Sequence, residues 1–390
     1  MEQMSVLISG ASIGGPALAY WLGRQGHRVT VVEKAATLRP GGQAVDFKGD
    51  THRTVLRRMG ILDEVRRNQT GGHDQAVVDA EGRRIATMPG EFTGGDIEIA
   101  RGDLARILYD RTKDTCTYVF GDSIASMNEH ADGVDVTFER SAPATFDLVV
   151  GADGIHSNVR RLVFGPEKDY VRHLGYYYAL ADLGTLSGMP DEAEMYNEPG
   201  RLVTIGGTKA QVMFVFASDL LEYDRYDPEQ QKRIVAAAYA GAGWRVPEVI
   251  AALPDARDLY LDSISMTVVD EYARGRVVLL GDSAYGNTLG GFGTGLAIVG
   301  AYVLAGELAA SGGDHRTAFA RYQELFRRYS KVTRKGNAGP FMAPPTRRRI
   351  KMRNSMLRRR FLMGAMLKIT DRFATDIELR DYPLPAADHT

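Results

Sequence analysis

The chain opens on the short apolar run SVLIS, Ser5 to Ser9, which reads as a strand buried on both faces. The stretch PALAYWLGRQG from Pro16 then places its apolar residues at helical spacing. Val29 to Val32 returns to a strand, which ends in Glu33. Together they predict a βαβ unit whose first turn is Gly10-Ala11-Ser12-Ile13-Gly14-Gly15. Two more apolar strands end in acid-bearing turns: Phe146 to Val150 runs into Gly151-Ala152-Asp153-Gly154, and Arg276 to Leu280 runs into Gly281-Asp282-Ser283-Ala284. A glycine-rich loop, GNTLGGFGTG, then leads into the helical stretch LAIVGAYVLAGELAA. Between those strands the pattern changes. YYYALADL from Tyr176, RLVTIGG from Arg201 and AQVMFVFA from Ala210 predict an antiparallel sheet with one face toward a pocket.

The first turn has the parts a dinucleotide needs. Gly10 permits the tight exit from the strand, and Gly15 allows helix and strand to approach closely. A pyrophosphate fits the free N–H groups at the helix start, Ile13 and Gly14 among them, where the helix dipole favours negative charge. Glu33 accepts from the ribose hydroxyls, with Lys34 beside it. Ser12 stands where the middle glycine of G-x-G-x-x-G is usual, and its hydroxyl is able to donate to a phosphate. This turn alone does not separate FAD from NAD.

Lys plus Arg total 48 against 49 Asp plus Glu, so the whole chain gives no electrostatic case for nucleic acid. The single cysteine, Cys116, excludes an internal disulfide and a cysteine-rich metal site, and no metal is expected. The opening MEQMSVLISG has no basic leader, and no stretch reaches eighteen uninterrupted apolar residues. A cytoplasmic protein without integral membrane contact is therefore expected.

The three turns, in this order from residue 10 to about residue 310, resemble those of the class A flavoprotein monooxygenases. This is the para-hydroxybenzoate hydroxylase fold group, which includes tetracycline-inactivating and antibiotic-tailoring hydroxylases. The resemblance implies an α/β fold: a Rossmann-like FAD-binding domain, a second, mostly antiparallel β-sheet substrate domain, and a C-terminal helix. The FAD-binding domain would be discontinuous, over 1–70, 95–168 and 272–335, with the substrate domain in 71–94 and 169–271 and a helical segment in 336–390. It also implies roles. Arg101 in IARGDLARIL reaches the FAD phosphate or ribityl region, Asp153 organises the pyrophosphate end, and Asp282 bonds the ribityl hydroxyls. Gly281 shapes the third turn, and Gly291, Gly293, Thr294 and Gly295 aim backbone N–H groups at the pyrimidine side of the flavin. FAD is the resident cofactor, and NADPH or NADH visits as a transient co-substrate, since no second glycine fingerprint exists. Oxygen transfer to a small aromatic or polyketide-like molecule proceeds in this family through a flavin C4a-hydroperoxide. The small-molecule substrate and O2 are the partners expected; nothing in the residues speaks to oligomeric state.

The chain departs from the family in places. Tyr285 stands where many relatives have histidine, no proline lies between Asp282 and Gly290, and Gly295 and Gly300 replace a common Asn and Asp. Candidate pocket residues are Tyr176, Tyr178, Met213, Phe214 and Phe216, though ordinary core is the commoner role for each, and by resemblance the loop Arg39 to Gln43 falls beside the flavin ring. Asp46, His52, His73 and His173 are candidates for a base, though a structural role is the commoner one for each, and no catalytic residue is assigned. The tail TRRRIKMRNSMLRRR, Thr346 to Arg360, has eight basic residues among fifteen, with apolar Ile350, Met356, Leu357, Phe361 and Leu362 near helical spacing. A helix docked across both domains is favoured over a membrane-surface helix and an anionic-ligand patch. Rival readings are a flavin reductase or dehydrogenase on the same fold, and an inactive ligand-binding relative. A flavin halogenase is disfavoured, because Trp21 and Trp244 stand alone.

Overall fold

The SVLIS run forms β1 (Ser5–Ser9), an interior strand of a six-stranded sheet, in a computed structural model that describes residues 2–38, 44–90, 96–184, 189–190, 192–206, 211–290, 293–331, 333–334, 336–359 and 378–382. After β1 come α1 (Gly14–Arg24), β2 (Arg28–Glu33), β3 (Ala44–Phe47), α2 (Gly49–Arg58) and α3 (Leu62–Arg67). The chain continues through β4 (Gln75–Val78), β5 (Arg84–Met88), β6 (Ile97–Ala100), α4 (Arg101–Asp110) and β7 (Thr117–Phe120). Next are β8 (Ile124–His130), β9 (Gly133–Phe138), β10 (Ala144–Phe146), β11 (Leu148–Gly151) and α5 (Asn158–Val163). The middle of the chain holds β12 (Val171–Asp182), β13 (Glu194–Glu198), β14 (Arg201–Ile205), β15 (Val212–Ala217), α6 (Pro228–Ala238), α7 (Val246–Ala252) and β16 (Asp258–Thr267). The last part runs β17 (Ala273–Arg274), β18 (Val277–Leu279), α8 (Asp282–Tyr285), α9 (Gly293–Ala310), α10 (His315–Tyr329), α11 (Gly339–Met342) and α12 (Arg347–Leu357).

The six-stranded sheet has the order β17-β18-β11-β1-β2-β7, parallel from β18 to β7. Ile8 lies opposite both Val31 and Val150, so the apolar runs stack in register. A parallel sheet is covered on both faces, which is why these strands read as unbroken apolar segments. The Phe146-to-Val150 run is not one strand. It divides at Asp147, whose carboxylate accepts from the Ser5 N–H at 2.6 Å, while Phe146 pairs in a separate sheet with β9.

α9 is apolar on every side because it packs against α1, α2 and α10 in the main core. It is the one helix among the described residues long and apolar enough to cross a membrane, and most of it is buried inside the protein. The seven-stranded sheet, β16-β12-β15-β14-β13-β4-β5, is antiparallel except at β13 and β4. One face lies under α6 and α7, and the other under α11 and α12. Residues 378–382 return to α9: Tyr382 donates to Glu307 at 2.7 Å, the Arg380 guanidinium sits 3.2 Å from the same carboxylate, and Asp381 pairs with Arg58.

Candidate functional site

The three turns meet at the carboxyl ends of β1, β11 and β18. Gly10 has φ +109°, and a side chain there would collide with the Ala152 carbonyl, so the first and second turns touch backbone to backbone. A Cβ on Gly15 would land on the Gly10 carbonyl oxygen, so α1 lies directly on its own turn. Its first turn has no acidic residue and no side-chain cap, which leaves the N–H groups of an eleven-residue helix open to an anion. Glu33 closes the turn from below: Oε2 accepts from Ala11 N and Oε1 from Ala35 N, each at 2.9 Å. Each of its oxygens keeps a lone pair for a further donor. Arg101, at the start of α4, donates from Nε to the Ser12 hydroxyl at 3.1 Å, so these two residues, eighty-nine apart in sequence, form one cationic edge. Lys34 is drawn instead to Tyr226, over whose ring its ammonium sits at 4.2 Å.

Asp153 and Asp282 do different work. The Asp153 carboxylate accepts from the Ser9 and Ser157 hydroxyls and from Val159 N, tying β1 to the start of α5. Burial raises its pKa, opposed by these hydrogen bonds. Asp282 follows Gly281 at φ +72°, and its carboxylate has no hydrogen-bond partner among the described residues. Burial raises its pKa too, and the nearby Arg101 cation partly offsets the rise. A Cβ on Gly293 would sit 3.0 Å from Asp282 Oδ1, so this unsatisfied carboxylate faces the start of α9.

His52 supplies a second unsatisfied group at the same place. Its Nδ1 accepts from Lys48 N at 3.1 Å, which puts the proton on Nε2, and that N–H is buried without a partner. Burial lowers its pKa to about 4, so the ring is neutral. A Cβ on Gly295 would strike the His52 ring, and one on Gly300 would strike the Tyr285 hydroxyl. The two unusual glycines thus make room for His52 and Tyr285, the latter standing where relatives have a smaller histidine. Asp46 lies on β3, beside β6. His73 is exposed, and His173 donates from Nε2 to the Ser218 carbonyl, 2.8 Å away, with its ring against Tyr177. The loop 39–43 and Gly291 lie outside the described residues.

Tyr176, Tyr178 and Met213 share one face of the seven-stranded sheet with Met88, Met195 and Ile264. Phe214 and Phe216 do not. They point to the opposite face, where both rings pack on Tyr239 of the helical layer. Both faces of this sheet are buried, so alternation alone did not tell which one looks toward a pocket. The Asp282 turn joins this sheet directly, since Thr267 at the end of β16 donates its hydroxyl to the Asp282 carbonyl at 2.8 Å.

Two connections had no signal in the residue pattern. Arg160 is fully buried and donates to the Ser283 carbonyl at 2.9 Å and the Ile155 carbonyl at 2.6 Å, so it bolts the second turn to the third. His156 sits between Glu167, 3.0 Å from Nδ1, and Asp262 on β16, 3.0 Å from Nε2. Tyr260 also donates to Asp262, and Arg225 pairs with Glu167 at 2.9 Å. Burial pulls the His156 pKa down, but the hydrogen bonds to Asp262 and Glu167 prevail and the net shift is upward. A histidine with a raised folded pKa stabilises fully below the unfolded value of 6.5, and that contribution fades as pH rises through the folded value. Thermal melts of His156→Asn against the unaltered protein should therefore differ by about 2 kcal/mol in mildly acidic buffer and converge in alkaline buffer. A difference that does not change with pH would show that the imidazolium contributes nothing.

The FAD binding domain family matches residues 3–328 of this chain. An uncharacterized protein of Mycobacterium tuberculosis is 39% identical over 333 residues, 83% of this chain and 89% of that one. A flavin-dependent monooxygenase of Legionella longbeachae is 35% identical over 347 residues, covering 86% of this chain and 88% of its own. Among solved structures, the tetracycline destructase Tet(51) is similar with a TM-score of 0.82 at 29% identity, over 98% of this chain and 100% of that one.

Proposed function

The chain belongs to the FAD binding domain family, among the flavin-dependent monooxygenases, and on that premise we propose that it uses NADPH or NADH and O2 to hydroxylate a small aromatic or polyketide-like molecule. When bound, FAD would supply the redox chemistry, taking hydride from the nicotinamide and activating O2, of which one atom would go to the substrate and the other leave as water. The observation that carries the reading is a pair of groups around the start of α9 without a hydrogen-bond partner among the described residues, the half-buried Asp282 carboxylate and the buried His52 Nε2–H. A folded protein leaves such groups unpaired at a cost, and a ligand rich in hydroxyl and carbonyl groups satisfies both.

The remaining roles follow from position. The open N–H groups of α1 take the pyrophosphate, with Ser12 and Arg101 at its edge and Glu33 on the ribose. Asp153 acts by positioning, because its oxygens are already engaged. Asp282 takes the ribityl hydroxyls, and the N–H groups from Gly293 to Gly295 point at the pyrimidine side. The face bearing Tyr176, Tyr178 and Met213 lines the substrate side. Burial holds the Tyr178 phenol well above its usual range, so it stays protonated and offers a donor rather than a base. We assign a flavin domain to 1–70, 95–168 and 272–335 and a substrate domain to 71–94 and 169–271, since β4, β5 and β12 to β16 build the seven-stranded sheet. The likeness to a tetracycline destructase makes fused-ring aromatic polyketides the first class to try.

The test is anaerobic mixing of the purified flavoprotein with NADPH or NADH, followed by isotopically labelled O2 and a panel of aromatic polyketides. The expected result is bleaching of the bound flavin and one labelled oxygen atom in the product. A reduced product without labelled oxygen would replace the reading with a reductase, and bound flavin that neither nicotinamide reduces would replace it with a ligand-binding relative.

A further inference from the structure

α12 has an inner face against the sheet and an outer face. Arg353, Asn354 and Leu357 are buried, with Ile350 and Met356 beside them, against the seven-stranded sheet. Arg353 is 4% exposed, and neutral acceptors satisfy it: the Phe341 and Met342 carbonyls and the side chains of Asn197 and Asn354. Arg358, just past the helix end, donates to the Ile85 carbonyl at 2.7 Å. The helix is therefore fixed to the sheet without using its outer surface.

At one hundred degrees per residue, Arg347, Lys351, Ser355, Arg348 and Met352 fall on the opposite side, and Arg359 follows two residues past the helix end. All six are exposed, Met352 at 68%. The helix contains no acidic residue, and no carboxylate among the described residues pairs with Arg347, Arg348, Lys351 or Arg359. Elsewhere several arginines pair with carboxylates, Arg53, Arg83, Arg84, Arg111, Arg225 and Arg245 among them. In a chain whose net charge is -1, this is a concentrated, uncompensated cationic face.

We propose that this outer face of α12 docks on an anionic lipid bilayer. A row of basic side chains matches a negatively charged headgroup plane, and the thioether of Met352 at its edge gains from an apolar phase that a polynucleotide does not offer. The face has no aromatic side chain on which a base would stack. The inner face of the same helix covers the sheet face that bears Tyr176 and Tyr178, so docking would bring the pocket side of the protein to the membrane. The advantage of that placement for an apolar substrate rests on the monooxygenase reading; the lipid contact itself does not.

Co-sedimentation of the flavin-loaded full chain with vesicles tests it. Vesicles of phosphatidylcholine with about a third phosphatidylglycerol should bind the protein, pure phosphatidylcholine should not, and binding should fall steeply with added salt. The triple variant R348E/K351E/R359E should bind about a hundredfold more weakly, with unchanged flavin content and melting temperature. Met352→Ser should weaken binding a few-fold at constant charge. Equal binding to both vesicle types, wild-type binding by the triple variant, or duplex DNA binding at least as tightly as the anionic vesicles while Met352→Ser changes nothing would each overturn the proposal.

Discussion

Gly15→Ala should abolish retention of flavin and lower the melting temperature by several degrees. The added methyl has nowhere to go, because its position coincides with the Gly10 carbonyl oxygen. Neither partner is a flexible side chain. Relief requires α1 to lift from the end of β1, which displaces the open N–H groups proposed to hold the pyrophosphate and strains the Ala11–Glu33 contact. Overpacking a rigid contact costs about 3 kcal/mol, here at the point where two turns also touch. Flavin absorbance per protein and a thermal melt of the same sample read both effects. A variant that keeps its flavin would show that the turn is looser than this contact implies.

Asp282→Asn should move affinity and stability in opposite directions. In the flavin-free protein the carboxylate is desolvated and lacks a hydrogen-bond donor, so the neutral isostere should stabilise that form by about 1 kcal/mol. FAD affinity should fall roughly tenfold to a hundredfold, because charge-assisted hydrogen bonds from ribityl hydroxyls become neutral ones. The pH dependence has a defined sign. Since burial raises the folded pKa of Asp282, its destabilising effect on the flavin-free protein should diminish as pH falls through that value. Melts with and without FAD, paired with a binding titration, separate the two effects. Loss of stability in the flavin-free form would instead mark Asp282 as a structural residue.

The parts of this site that were legible in the residue order are those where backbone geometry restricts side-chain choice. A positive φ at Gly10 and a helix laid on its own turn at Gly15 leave glycine as the residue that fits, and an acid at a strand end closes the turn. The substitutions at Gly295, Gly300 and Tyr285 were visible as departures, but their meaning was not. Each glycine yields volume to a large side chain distant in sequence, His52 or Tyr285, and one chain read alone does not display such an exchange. That Phe214 and Phe216 face away from Tyr176 and Tyr178 was hidden for a similar reason. A period of two shows that a strand has two faces, yet helices cover both, α6 and α7 on one and α11 and α12 on the other, so the pattern does not tell them apart. In the basic tail, a run of arginines carries no phase, so nothing marked Arg353 as the one turned inward. His156 and Arg160 were hidden for a further reason, since their partners Asp262 and Ser283 lie more than a hundred residues away.

The account stands on a single claim, that the three turns and the start of α9 form one FAD site. Calorimetric titration of FAD into flavin-free protein tests it most directly. The prediction is saturable binding of one FAD per chain. Absence of saturable binding in a protein that melts cooperatively would contradict the claim and every role assigned from it.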